Sequence, residues 1–300
     1  MKRRIVSLAA LILSSAVTLT AAEPPAKVQI MHQDMLYPVV RVSTGPAAGS
    51  GTVVYSEDRG DGCQTYVLTN HHVVEAAIHI KEQWSSLLQR DVKREANEPV
   101  TVEIFRYADG STQDVADSYQ ADIVAQDKGH DLALVKLRTG RKIAHVARLL
   151  PSGTKVAIFE PIWAVGCSLR HPPVVTQGII DYLDDVIEQK LYWLGSANII
   201  YGNSGGAVFV ERDGRYFWIG VPSRVAVTWS QAITHMGYFC PVPRVRQWIT
   251  DEYLLFLTDP VAKPTNCFAK REELRKQAEL RMLGDKPQKP AEPTPAQPKP

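Results

Sequence analysis

Between about residues 36 and 241 the chain is built of short β-branched and aromatic runs, each cut off within a few positions by Gly, Pro, Asp or Asn. Runs of that length and composition read as strands with tight connections, which confines the chain to an all-β barrel or sandwich. They cover residues 38–42, 51–55, 66–69, 100–107, 121–125, 132–137, 155–165, 174–182, 207–210, 216–221 and 236–240. That is enough strand for two small barrels, expected over residues 36–150 and 151–243.

Two stretches break the strand pattern. Residues 81–97 carry Trp84, Leu87, Leu88 and Val92 at spacings that place them on one face of a helix, with Pro99 as the stop, and read as a helical insertion in the first barrel. Residues 244–257, with Val245, Trp248, Ile249 and Leu254 as the buried side, read as a closing helix. Beyond Asp259 the composition turns to Lys, Arg, Glu and Pro. A charged helix over 268–283 is expected there, followed by a disordered or polyproline-like tail over 286–300 that serves as a spacer, a docking arm or merely a solvated end.

The first 22 residues have the pattern of an export signal: basic Lys2, Arg3 and Arg4, an apolar stretch over 5–19, and small Thr20, Ala21 and Ala22. Cleavage is expected after Ala22, leaving residues 23–35 as a linker. Ser7, Ser14, Ser15 and Thr18 interrupt a stretch already shorter than the ~20 apolar residues of a spanning helix. A mature protein that is periplasmic or secreted, with no stable membrane span, is therefore expected. The formal charge of +2 and pI near 8.3, without a basic stripe interleaved with aromatics, exclude a nucleic-acid footprint. Cys63, Cys167, Cys240 and Cys267 contain no C-x-x-C pair, so zinc is not implied; in an exported chain one or two disulfides are expected from three possible pairings.

The densest chemical signal is Gly202-Asn203-Ser204-Gly205-Gly206. A serine between glycines sits on a tight turn where backbone N–H groups can meet a substrate carbonyl, although a Gly-rich hairpin would read the same way. A hydroxyl needs a base to become a nucleophile and a carboxylate to orient that base. Both lie upstream, His72 in Thr69-Asn70-His71-His72-Val73-Val74 and Asp131 in Gly129-His130-Asp131-Leu132-Ala133-Leu134. Alone, each has an ordinary reading as a turn histidine or a strand-capping aspartate. The order His, Asp, Ser, with separations of 59 (131 − 72) and 73 (204 − 131) residues, is that of chymotrypsin-type enzymes.

These segments resemble the T-N-x-H-V-V, D-[IL]-A-[LV] and G-N-S-G-G motifs of HtrA-type (Deg) trypsin-like serine peptidases. Ala164-Val165-Gly166-Cys167-Ser168, Val174-Val175-Thr176-Gln177-Gly178 and Gly237-Tyr238-Phe239-Cys240-Pro241 are similar to further stretches of that family. The likeness spans roughly residues 36–249 and implies two perpendicular six-stranded antiparallel barrels with the site in the cleft between them, a peptidase domain over 36–257. It further implies Ser204 as nucleophile, His72 as general base and acid, Asp131 as its orienting partner, and the N–H groups of Gly202 and Ser204 as an oxyanion hole. His71 is a rival base and His130 a solvated neighbour.

The chain departs from the family after Asp259, where 41 residues (300 − 259) are too few for a PDZ module, so docking through one is not expected. The 81–97 insertion follows the histidine segment and either shapes the cleft or packs on the first barrel. Asn198, six residues before Ser204, aligns with the floor of the primary specificity pocket, and the strand holding Ser223 and Arg224 with its wall. A neutral floor implies small or medium apolar residues at the cleaved position. Protein or peptide substrates follow, with no metal or organic cofactor. Two other functions fit the same residues: a silent peptide-holding protein, against which an intact triad argues, and a hydrolase of other acyl compounds.

Overall fold

The computed structural model describes residues 26–45, 47–85, 89–108 and 111–284. The expected leader at 1–22 and tail at 286–300 lie outside these residues, as do Leu87 and Leu88.

Fourteen strands are described, and twelve of them close two antiparallel barrels. The first is made of β1 (Val39–Thr44), β2 (Ala47–Asp58), β3 (Cys63–Thr69), β6 (Val100–Ala108), β7 (Thr112–Asp127) and β8 (Leu132–Leu137), in the closed order β1-β2-β3-β8-β7-β6. The second takes β9 (Pro161–Gly166), β10 (Val174–Ile187), β11 (Lys190–Gly195), β12 (Ala207–Arg212), β13 (Arg215–Thr228) and β14 (Gln231–Pro241), in the order β10-β11-β14-β13-β12-β9. Closure leaves no sheet edge to pair with a neighbour. The expected double barrel is thus the fold observed. The sequence run begun at residue 155 becomes strand only from Pro161, and β11 is a strand that the runs did not single out.

Successive side chains on a strand face opposite ways, and here both ways lead to apolar surroundings. On β8, Ala133, Val135 and Leu137 fill the first barrel, whereas Leu132 and Leu134 join a layer outside it. On β3, Val67 points inward while Tyr66 and Leu68 reach that same layer. The second barrel repeats the arrangement: Ile162, Ala164, Val208 and Val210 fill its interior, and Trp163, Val165, Ala207 and Phe209 face the shared layer. This is why these strands read as unbroken apolar runs rather than as alternating ones.

The chain end completes the shared layer. Helix α3 (Val242–Asp251) supplies Val245, Trp248 and Ile249, and the turn beyond it supplies Leu254 and Phe256. The Phe256 ring lies 5.2 Å from Tyr55, 4.8 Å from Tyr66 and 5.8 Å from Phe268 of helix α4 (Pro264–Gly284). At the other end of the described residues, after helix α1 (Ala26–Met31), buried Asp34 accepts from Arg215 at 2.7 and 2.5 Å and from the Tyr216 N–H at 3.1 Å, which ties this leading segment to β13.

Two expectations are corrected. Residues 81–97 form no helix: β4 (Ile78–Ser85) and β5 (Arg90–Asn97) make a separate antiparallel hairpin, paired from Ile78↔Asn97 to Ser85↔Arg90. An amphipathic helix is stable when its stripe is buried, but Ile80 and Trp84 stay 69% and 62% exposed, so nothing rewards the helical period. The hairpin satisfies its own backbone, with Glu82 opposite Lys93 across the strands. The four cysteines are free thiols, on β3, after β9, on β14 and on α4, and no disulfide forms. Burial pushes the thiols of Cys167 and Cys240 up to about 12, leaving them protonated and inert at neutral pH.

Phe256→Ala is expected to lower the free energy of unfolding by about 3–5 kcal/mol, because it empties the buried point where Tyr55 and Tyr66 of the first barrel meet the chain end. Urea denaturation checks this, and a loss under 1 kcal/mol would deny that the shared layer holds the barrels together.

Candidate active site

Strand β3 ends at Thr69, and Asn70 is extended before a single turn of helix, α2 (His71–Val74). One turn splits its neighbours: His71, Val73 and Val74 are buried, and His72 is left on the outside with its side chain 45% exposed. Burial pushes the His71 imidazole below its usual value, which keeps it neutral.

Asp131 opens β8 from a turn, with φ at 58°, a left-handed conformation that aspartate tolerates better than most residues. Its carbonyl takes the Asn70 side-chain amide at 2.7 Å, which fastens the two segments together. Its carboxylate lies 2.8 Å and 3.0 Å from His72 Nδ1, accepts the His72 backbone N–H at 3.0 Å and accepts the Ser223 hydroxyl at 2.6 Å. Burial alone would raise the Asp131 carboxyl; the bonds from His72 and Ser223 and the His72 charge outweigh it and bring the group below its ordinary value.

The Gly202–Gly206 loop arrives from the second barrel. Gly202 has φ at 97° and Gly205 at 85°, and neither has room for a side chain. A Cβ at Gly202 would come within 2.5 Å of the Cys167 carbonyl, and one at Gly205 within 2.1 Å of the Ser50 carbonyl, 2.3 Å of Thr69 Oγ1 and 3.1 Å of the Asn70 nitrogen. The loop therefore rests on the β3–α2 junction, two residues from His72. Ser204 itself is tied there, its carbonyl accepting the Ser50 N–H at 2.7 Å. Buried Asn203 secures the loop from within, its Oδ1 accepting from Ser168 Oγ at 2.8 Å and the Ile200 N–H at 3.1 Å.

Two N–H groups of this loop have set directions. The Tyr201 carbonyl accepts Leu169 N–H at 2.8 Å and the Asn203 carbonyl accepts Gly206 N–H at 2.9 Å. In a trans peptide the N–H points opposite to the C=O, so Gly202 N–H faces away from Leu169 and Ser204 N–H away from Gly206. Among the described residues neither has a protein acceptor.

The other sequence candidates fall as follows. Asn198 is exposed, and its carbonyl accepts the Thr176 hydroxyl at 2.8 Å. Arg224 pairs with Glu188 at 3.3 Å and lies 5.7 Å above the Tyr192 ring. His130 is half-buried and 2.5 Å from Asp127, with Arg244 3.2 Å away, so it is engaged rather than solvated. Ser223 was read as pocket wall, and its bond to Asp131 was not anticipated. Ser50 was missed altogether, although Ala48-Gly49-Ser50-Gly51 inside a strand signals a close approach of another backbone.

Against known proteins, the profile of the trypsin-like peptidase domain matches residues 49–221, more than half of the chain, and spans His72, Asp131 and Ser204. The chain belongs to the trypsin-like peptidase family. Among solved structures, this trypsin-like peptidase is similar in fold to the serine endoprotease from Yersinia pestis, at 19% identity and a TM-score of 0.53, over 76% of this chain and 66% of that one. It is also similar to a solved structure of the HtrA-type protease AlgW with a tripeptide, at 16% identity and a TM-score of 0.54, over 79% of this chain and 65% of that one. The chain thus corresponds to just under two thirds of the length of each. No curated protein matches it by sequence.

The depressed Asp131 value has a consequence for this peptidase at low pH. With a folded value below the unfolded ~3.9, Asp131 stabilises the fold fully above that pH, and the contribution is lost as pH falls through the folded value. Asp131→Asn is expected to decline less in stability between pH 6 and pH 2 than the wild type, read by urea unfolding at each pH. An equal decline would mean that the carboxylate gains nothing from its partners.

Proposed function

We propose that the chain is an exported serine endopeptidase acting through an acyl-enzyme on Ser204. The observation that carries the reading is the pairing of His72 Nδ1 with the Asp131 carboxylate at 2.8 Å, on the rim where the Ser204 loop rests. A carboxylate only accepts, so it favours the tautomer with the proton on Nδ1 and leaves Nε2 a lone pair. Nε2 takes the Ser204 proton as the hydroxyl oxygen attacks the substrate carbonyl, and Asp131 stabilises the resulting imidazolium. The N–H groups of Gly202 and Ser204 receive the negative oxygen; fixed in advance by the loop, they need no reorganisation. The imidazolium then protonates the departing amine. A water activated in the same way releases the acid and regenerates Ser204.

Peptides are the substrate class that the family favours, and the tripeptide held by one structural relative agrees with it. For the cleaved position we propose small or medium apolar residues. Asn198 is neutral, so that position offers no carboxylate to select a Lys or Arg side chain. The basic, apolar and small-residue order of residues 1–22 supports export, and among the described residues no helix is long and apolar enough to cross a membrane.

Protein lacking residues 1–22 is expected to cleave peptides in preference to simple esters, and Ser204→Ala to lower turnover about 10⁶-fold without moving the unfolding midpoint. Hydrolysis confined to esters, or turnover surviving in the variant, sinks the reading. His72→Ala is also expected to lower peptide turnover about 10⁶-fold, since the Ser204 hydroxyl then has no base. Turnover within tenfold of wild type in that variant would remove His72 from the role of base.

A further inference from the structure

Ser50 sits on β2, in the first barrel, yet all three of the groups it binds on the nucleophile side belong to the second. Its backbone N–H donates to the Ser204 carbonyl at 2.7 Å. Its hydroxyl accepts the Cys167 N–H at 2.6 Å and donates to the Gly202 carbonyl at 2.6 Å. The residue is fully buried, and its own carbonyl accepts the Thr69 hydroxyl at 2.6 Å. The hydroxyl therefore uses one donor and one acceptor and spends neither on water. Space around it is closed: a Cβ at Gly166 would stand 2.9 Å from Ser50 Oγ and 2.9 Å from Asn203 Cα.

We propose that Ser50 is a positioning residue for the oxyanion-binding N–H groups, an inference that rests on the peptidase reading above. The Gly202–Asn203 peptide is gripped at both ends, its carbonyl by Ser50 Oγ and its N–H by the Ile200 carbonyl at 3.0 Å. A glycine at φ 97° has no side chain to hold its own conformation, so the grip has to come from outside. Without the hydroxyl, the Gly202 carbonyl and the Cys167 N–H lose their buried partner. The peptide can then rotate to seek another; it joins the two peptides that carry Gly202 N–H and Ser204 N–H, so its rotation displaces both donors. Ser50 touches no substrate; it acts through the direction of those two N–H groups.

The test is Ser50→Ala in the full mature chain, assayed on peptide and with two competing ligands. One is a peptide boronic acid, whose tetrahedral adduct on Ser204 sets an oxygen against the two N–H groups; the other is the same peptide as an amide, which forms no adduct. The inference predicts a fall in kcat on the order of 10–100-fold with KM within about threefold. It predicts that boronate inhibition weakens by the same factor while amide binding holds within about threefold. Urea unfolding of Ser50→Ala at the assay pH separates loss of fold from loss of donor direction, and the ratio of boronate to amide weakening is read on the folded protein. A kcat within threefold of wild type in Ser50→Ala, or equal weakening of both ligands, overturns the role. A wild-type protein that neither turns over peptide nor binds the boronate brings down the peptidase reading, and this one with it.

Discussion

The structure depends on one constraint: two closed barrels with no free edges must still bury the outward side chains of β3, β8, β9 and β12. They do so against each other, and Trp248, Ile249, Leu254 and Phe256 from the chain end seal the layer. Apolar burial of this kind is non-directional, but a strand has only two faces, so burying both fixes how the barrels are turned. The loops at the seam are placed as a consequence.

The directional contacts follow from that placement, and they run both ways across the seam. Ser223 of the second barrel reaches Asp131 of the first, and Ser50 of the first reaches Gly202 of the second. The proposed base and its carboxylate thus come from one barrel, the proposed nucleophile from the other, and each side is held by a hydroxyl from its opposite. Asp131, largely buried, keeps its negative charge because three donors surround it, and the same three fix the edge that His72 meets.

What could be read from the sequence was local. The Gly202–Gly206 loop, the His72 turn and the Asp131 turn each lie within six residues, and their order carried the rest. The strands were legible because β-branched runs and their Gly and Asp breaks are also local. Residues 81–97 were misread because Trp84 and Val92 fit a helical period as well as a hairpin, and only the absence of a surface to pack on decides between them. The disulfide expectation failed for a related reason, since pairing depends on where four separate elements end up. Ser50 and Ser223 were illegible as partners of the site because their bonds span 152 and 92 residues of chain. Nothing in Gly-Ser-Gly or Pro-Ser-Arg says what lies across the seam.

The central claim is that this seam activates one hydroxyl, and covalent labelling with a fluorophosphonate reads that property without knowledge of the substrate. The account predicts a single adduct, on Ser204, in the folded protein between pH 7 and pH 9, and none in the Ser204→Ala variant. Folded protein that takes no label, or takes it on another residue, would contradict the account.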